Sequence, residues 1–212
     1  MKVKWLGHSC FLITAENGVT VLTDPFDSSV GYKVPEVAAD IVSTSHGHFD
    51  HSYIQAVQGE YVHINKTGVC THKGIEITGV DTFHDENQGA ERGKNTMYKF
   101  VIDGLHICHC GDLGHVLTRE QMNAIGSVDI LLIPIGGFYT IDAERAAAVV
   151  NQLQPLVTMP MHFKTEDINF PIAGVDRFLE VMGNGKRLGK QEVEFEKSSM
   201  SSEAGVIVLD YK

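Results

Sequence analysis

Ser45-His46-Gly47-His48-Phe49-Asp50-His51 follows directly on an apolar run, 40–45, that reads as a buried strand. No other segment restricts the chain so strongly. It packs three imidazoles and a carboxylate into positions 46–51. Side chains alternate across an extended backbone, so His46 and His48 leave on one side and can grip one ion. The chain then turns, and Asp50 and His51 can serve a second ion close by. Gly47 lets the backbone curl there without a Cβ in the way. Imidazole and carboxylate donors suit Zn first, with Mn or Fe as alternatives. A polar turn that collects four donors by coincidence is the weaker explanation.

The rest of the composition narrows the partners. Acidic residues outnumber basic ones, 27 to 17, for a formal charge of -10, and 11 of 212 residues are histidine. An acidic chain repels phosphate backbones and anionic lipid, so nucleic acid is an unlikely partner and a small-molecule substrate is expected. No apolar run approaches the ~20 residues that span a bilayer. The start, 1–10, lacks the apolar core of a signal peptide, so no membrane and a cytoplasmic location are expected. The four cysteines, Cys10, Cys70, Cys108 and Cys110, form no C-x-x-C pair and read as reduced thiols. Cys108 and Cys110 lie in a strand-like run where both face the core, which weighs against a metal role for them.

Strand signals dominate the first half, at 2–7, 10–14, 19–23, 40–45, 61–65, 69–72 and 74–82. Asp103-Gly104 is a strong hairpin turn between strands 96–102 and 105–110, and 85–95 reads as a polar loop. The second half alternates. Thr118 with Gln121 forms a capping box opening a helix to about Gly126, and 142–153 and 175–182 read as further helices. Strands are expected at 129–135, 156–161, 192–196 and 205–210. No linker or repeat appears, so 1–212 is expected to form one layered α/β domain. Self-association is possible but has no sequence mark.

The H-x-H-x-D-H segment after an apolar strand resembles the metallo-β-lactamase fold superfamily. Trp5-Leu6-Gly7-His8-Ser9-Cys10-Phe11, Thr23-Asp24-Pro25-Phe26, Gly111-Asp112-Leu113-Gly114-His115 and Ile135-Gly136-Gly137 are similar to its small single-domain members, among them ascorbate-6-phosphate lactonase. The resemblance implies a four-layer αββα sandwich with mixed sheets and a site at the strand ends. It implies that His84 joins His46 and His48 at one ion, that His162 joins Asp50 and His51 at a second, and that Asp112 bridges them. Antibiotic hydrolysis is not implied, since the best-known zinc lactamases carry a cysteine at the position of Asp112. Flavodiiron members carry a glutamate at the position of His48, which argues against oxygen or nitric oxide reduction.

The activity implied is a dinuclear metal-dependent hydrolase, in which a bridging hydroxide attacks a small ester, lactone or phosphate-bearing substrate. A metal-dependent phosphodiesterase or nuclease is one alternative, and a non-catalytic metal-binding protein another. Asp50 is expected to orient the water as well as bind metal. His8, in the turn after the first strand, and His115, three residues beyond Asp112, are the candidate proton donors. Tyr139 and Arg92 are the candidate substrate-binding residues. His63, His72, His106 and His109 read as satisfied or exposed.

Overall fold

Period-two apolar patterning builds the first layer. In the computed structural model, which describes residues 1–212, β1 (Lys2–Gly7), β2 (Cys10–Thr14) and β3 (Thr20–Thr23) form an antiparallel meander. β4 (Ile41–Ser43) and β5 (Val62–Ile64) extend it in parallel. β6 (Gly68–His72), β7 (Ile75–Phe83), β8 (Lys94–Ile102) and β9 (Leu105–His109) form a second antiparallel run. β10 (Ile130–Pro134) and β11 (Val157–Met161) then add in parallel to β9. β12 (Gly185–Arg187), β13 (Glu192–Glu194) and β14 (Gly205–Val208) close the chain. The six-stranded sheet has the order β13-β1-β2-β3-β4-β5, and the eight-stranded sheet β12-β14-β11-β10-β9-β8-β7-β6.

Both sheets are mixed, as expected, and they face each other across one core. Phe11, Ile13, Val21 and Ile41 meet Phe100, Ile107, Leu132 and Met159 there. α1 (Arg119–Ile125) lies against β7 and α2 (Ala143–Leu153) against β10, with α3 (Asp176–Met182) on α2. The Thr118–Gln121 capping box is formed, and Asp142 caps α2 by accepting the Arg145 N–H at 2.9 Å. No helix is long and apolar enough to cross a membrane.

The opposite outer layer differs from a full αββα sandwich. Cys10, Leu22 and Val42 alternate away from the main core into a smaller cluster with Phe26, Val30, Tyr32, Ile168 and Ile172. Those partners lie on loops and a 3-10 turn (Ser28–Val30), so no α-helix covers that face. Two element boundaries also move for physical reasons. Strand 40–45 shortens to Ile41–Ser43 because the Ser45 N–H goes to the Asp24 carboxylate, 2.7 Å, and not to a neighbouring strand. β12 was not expected: Gly-Lys-Arg carries no apolar pattern and is extended only because it pairs with β14 at the sheet edge.

The topology determines where the site forms. β7 and β9 both pair antiparallel to β8, and β10 and β11 continue parallel to β9. β7, β9, β10 and β11 therefore all point one way, and residues just beyond β7, β9 and β11 emerge at one edge.

Candidate metal centre

His84 follows β7, Asp112 follows β9, His162 follows β11, and His46 begins three residues beyond β4. The seven candidate ligands meet there. The His46, His48 and His84 donors lie within 4.8 Å of one another, as do those of Asp50, His51 and His162 together with His8. Asp112 sits between the groups. Its Oδ2 is 3.1 Å from His84 Nε2, 3.2 Å from His51 Nε2 and 3.4 Å from His162 Nε2. His8 was expected near the chemistry but not as a member of a ligand-distance cluster.

The electrostatics show how closely these charges balance. Burial opposes a proton on His51, yet the facing Asp112 and Asp50 carboxylates hold its pKa well above the ordinary value. Burial likewise opposes the Asp112 charge, but His162 and His51 keep its pKa well below the carboxylate range. His46 goes the other way: burial first, then the His51 charge, push it down to about 3. His46 Nε2, His51 Nε2 and Asp112 Oδ1 are buried without a hydrogen-bond partner. Buried polar atoms are rarely left so, and three in one cluster point to ions as their partners. Imidazole nitrogens and carboxylate oxygens fit Zn, Mn or Fe.

A buried carboxylate that the motif did not predict holds the candidate ligands in place. Asp24 Oδ2 accepts the His51 Nδ1–H at 2.8 Å and the Ser45 hydroxyl at 2.6 Å. With its proton committed to Asp24, Ser45 Oγ accepts the His46 Nδ1–H at 2.9 Å. Both imidazoles thereby turn Nε2 toward the site. Asn95 does similar work for Asp112: its Oδ1 accepts the Asp112 N–H at 2.9 Å, and its Nδ2 bonds Thr82 Oγ1 and the Cys110 carbonyl. Nothing in local sequence marks Asn95. Asp24 had a trace, since Asp24-Pro25 ends a strand in a segment resembling a family motif. Outer partners of metal ligands typically govern affinity by about 10–100-fold. Asp24→Asn is therefore expected to weaken zinc binding by about that factor without unfolding the chain, checked by chelator competition and thermal melting.

The other candidates fall in different places. Tyr139 and Arg92 both line a cavity of about 260 Å³ with His48, Phe49, Asp50, His84, Asp112 and Phe170. Hollows of about 460 and 560 Å³ elsewhere contain no ligand residue, so chemistry and not size marks the smaller one. Phe49 and Phe170 were not singled out in the sequence; Phe49 is 54% exposed inside the ligand motif. His8 is fully buried and does not line the cavity. Its Nε2 lies 3.2 Å from Asp50 Oδ2, and its carbonyl accepts the Trp5 Nε1–H and the His162 N–H. Burial and then His162 lower its pKa to about 4, so the ring is neutral at pH 7 and donates to Asp50. His115 stands apart from the cluster. Its Nε2 accepts the Phe83 N–H and its Nδ1 donates to the Val116 carbonyl, so neither nitrogen is left for a leaving group. Among the remaining histidines, His63 bonds Thr44, His106 bonds Asp129 and His109 bonds the Ser9 carbonyl.

Known proteins resemble the chain over most of its length. The beta-lactamase superfamily domain matches residues 2–162. A UPF0173 metal-dependent hydrolase of Thermoplasma acidophilum is 32% identical over 194 residues, 79% of this chain and 85% of the relative. A Thermotoga maritima crystal structure, classed with the zinc-dependent hydrolases of the metallo-beta-lactamase superfamily, is 39% identical. It superposes with a TM-score of 0.83 over 98% of this chain and 97% of that one. An isothiocyanate hydrolase from Delia radicum gut bacteria shares the fold alone, at 14% identity and a TM-score of 0.70 over 100% and 97% of the two chains. The donor cluster, the strand ends that carry it and these relatives agree: the chain belongs to the metallo-β-lactamase superfamily, among its UPF0173 metal-dependent hydrolases.

Proposed function

We propose that this hydrolase works with two divalent ions on a small ester, lactone or phosphate-bearing substrate. The observation that carries the reading is Asp112, whose one oxygen faces histidines of both donor groups at 3.1–3.4 Å. His46, His48 and His84 would hold one ion, Asp50, His51 and His162 the other, and Asp112 both. When bound, such ions supply an acidified water as nucleophile at neutral pH and positive charge opposite a developing oxyanion.

The chain's own residues do the rest. Asp24 and Ser45 fix the tautomers of His51 and His46. His8 orients the Asp50 carboxylate through its Nε2. Phe49 and Phe170 wall the cavity, while Arg92 and Tyr139 reach the substrate. The cationic Arg92 in the cavity also supports a small phosphodiester as substrate, which is the second reading.

The test combines metal analysis with a panel of lactone, thioester, carboxylic ester and phosphodiester substrates. About two ions per chain and metal-dependent turnover of one substrate class are expected, and that class decides between the two readings. A protein that holds a single ion at full activity would overturn the dinuclear assignment.

A further inference from the structure

Between His84 and β8, the 85–93 segment has an organiser of its own. Asp85 is buried, at 3% exposure. Its Oδ1 accepts the N–H groups of Asn87 and Gly89, both at 2.8 Å, and its Oδ2 those of Glu91 and Arg92, at 3.0 and 2.8 Å. Gly93 N–H on the Gly89 carbonyl and His84 N–H on the Gly93 carbonyl, both 3.0 Å, close the loop.

The consequence falls on Arg92. Its own N–H is one of the four, which fixes where its side chain starts. That side chain lines the cavity, and its one ionic contact is a long 3.5 Å approach to Glu91. Aromatic side chains share its cavity. Phe49, Tyr139 and Phe170 line the same cavity, and Phe138, 64% exposed, lines the adjoining hollow that Arg92 shares. A weakly paired guanidinium in a cavity that aromatic side chains also line matches a molecule with an anionic head and an apolar body.

We propose that Asp85 is a positioning residue that presents Arg92 to the cavity, and that the site therefore selects substrates carrying an anionic group beside an aryl or acyl group. The proposal rests on the hydrolase-site reading above and deepens it, but it is tested by binding. The probes are phenylsuccinate and 3-phenylpropionate, titrated into zinc-loaded protein by calorimetry; each can place one carboxylate on the metal side, and only phenylsuccinate has a second for Arg92. Wild type is expected to prefer phenylsuccinate by about tenfold or more, as a charge-assisted bond to Arg92 implies. R92A and D85N are each expected to bring the ratio near one, and R92K to restore part of it.

Amide hydrogen exchange separates positioning from contact. Protection at residues 87, 89, 91 and 92 should fall in D85N and persist in R92A. If D85N does not hold zinc, D85E, which keeps the charge but displaces it by a methylene, gives the same two readouts. Equal or absent binding of the probes by wild type would overturn the substrate class. A wild-type ratio in D85N would overturn the role of Asp85. Preference without turnover of any panel substrate would instead count against the hydrolytic chemistry and leave the Arg92 clamp standing.

Discussion

Asp112→Ala is expected to weaken zinc binding by more than about a hundredfold and to abolish turnover. Loss of an outer partner alone costs about 10–100-fold in affinity, and Asp112 is the carboxylate that faces both donor groups. The buried charges explain why nothing replaces it. His51, His84 and His162 all direct Nε2 at its Oδ2, and water cannot enter freely because Asp112 is 2% exposed. The same carboxylate, with Asp50, keeps a proton on His51 in the metal-free chain. An ion must displace that proton, so wild-type affinity should rise with pH until His51 deprotonates on its own. The sign follows from the shift. A raised folded pKa gives stability below the unfolded value, and that stability is lost as pH climbs through the folded one. D112A removes the main holder of the proton and should flatten the pH dependence. Bound metal per chain after dialysis, measured at several pH values, reads both effects. Wild-type metal content in D112A would show that the ions, if any, sit elsewhere.

What the sequence made legible depended on how local each signal is. The His46–His51 segment needs no fold to be read, because its donors are consecutive and its strand precedes it. His84, Asp112 and His162 could be placed only through the family resemblance, though each follows an apolar strand visible in the sequence. Asp24 and Asn95 could not be assigned their roles. Asp24 reaches His51 across 27 positions and Asn95 reaches Asp112 across 17, and such pairings are created by sheet register, not by neighbouring residues. His115 failed for the opposite reason. Proximity in sequence to Asp112 suggested chemistry, but its two nitrogens are used in holding Phe83 and Val116. Gly47 also has a plainer role than its place in the motif suggested, since a Cβ there would meet nothing within 4 Å.

Gly114→Ala is expected to damage the centre, although it adds one methyl group at a position with no role in binding. A Cβ on Gly114 would lie 2.3 Å from the Asp85 nitrogen and 2.3 Å from the His84 carbonyl carbon. These are backbone atoms, so no rotamer change relieves the overlap. The Gly114 N–H also bonds the Phe83 carbonyl at 2.9 Å, which ties the turn after Asp112 directly to the end of β7. To admit the methyl the two segments must part, and they carry the two atoms that now sit 3.1 Å apart, His84 Nε2 and Asp112 Oδ2. Overpacking of this kind costs about 1–3 kcal/mol or somewhat more. In a chain of this size that lowers Tm by roughly 2–12 °C. Zinc affinity should fall by about tenfold or more in the same protein, as expected when a ligand's support is displaced. Gly47→Ala is the matched control, because its methyl enters open space within the ligand motif itself. It should melt and bind zinc as wild type does. If G114A behaves like G47A in both measurements, the packing of the 112–115 turn on residues 83–85 is not what sets the spacing between His84 and Asp112.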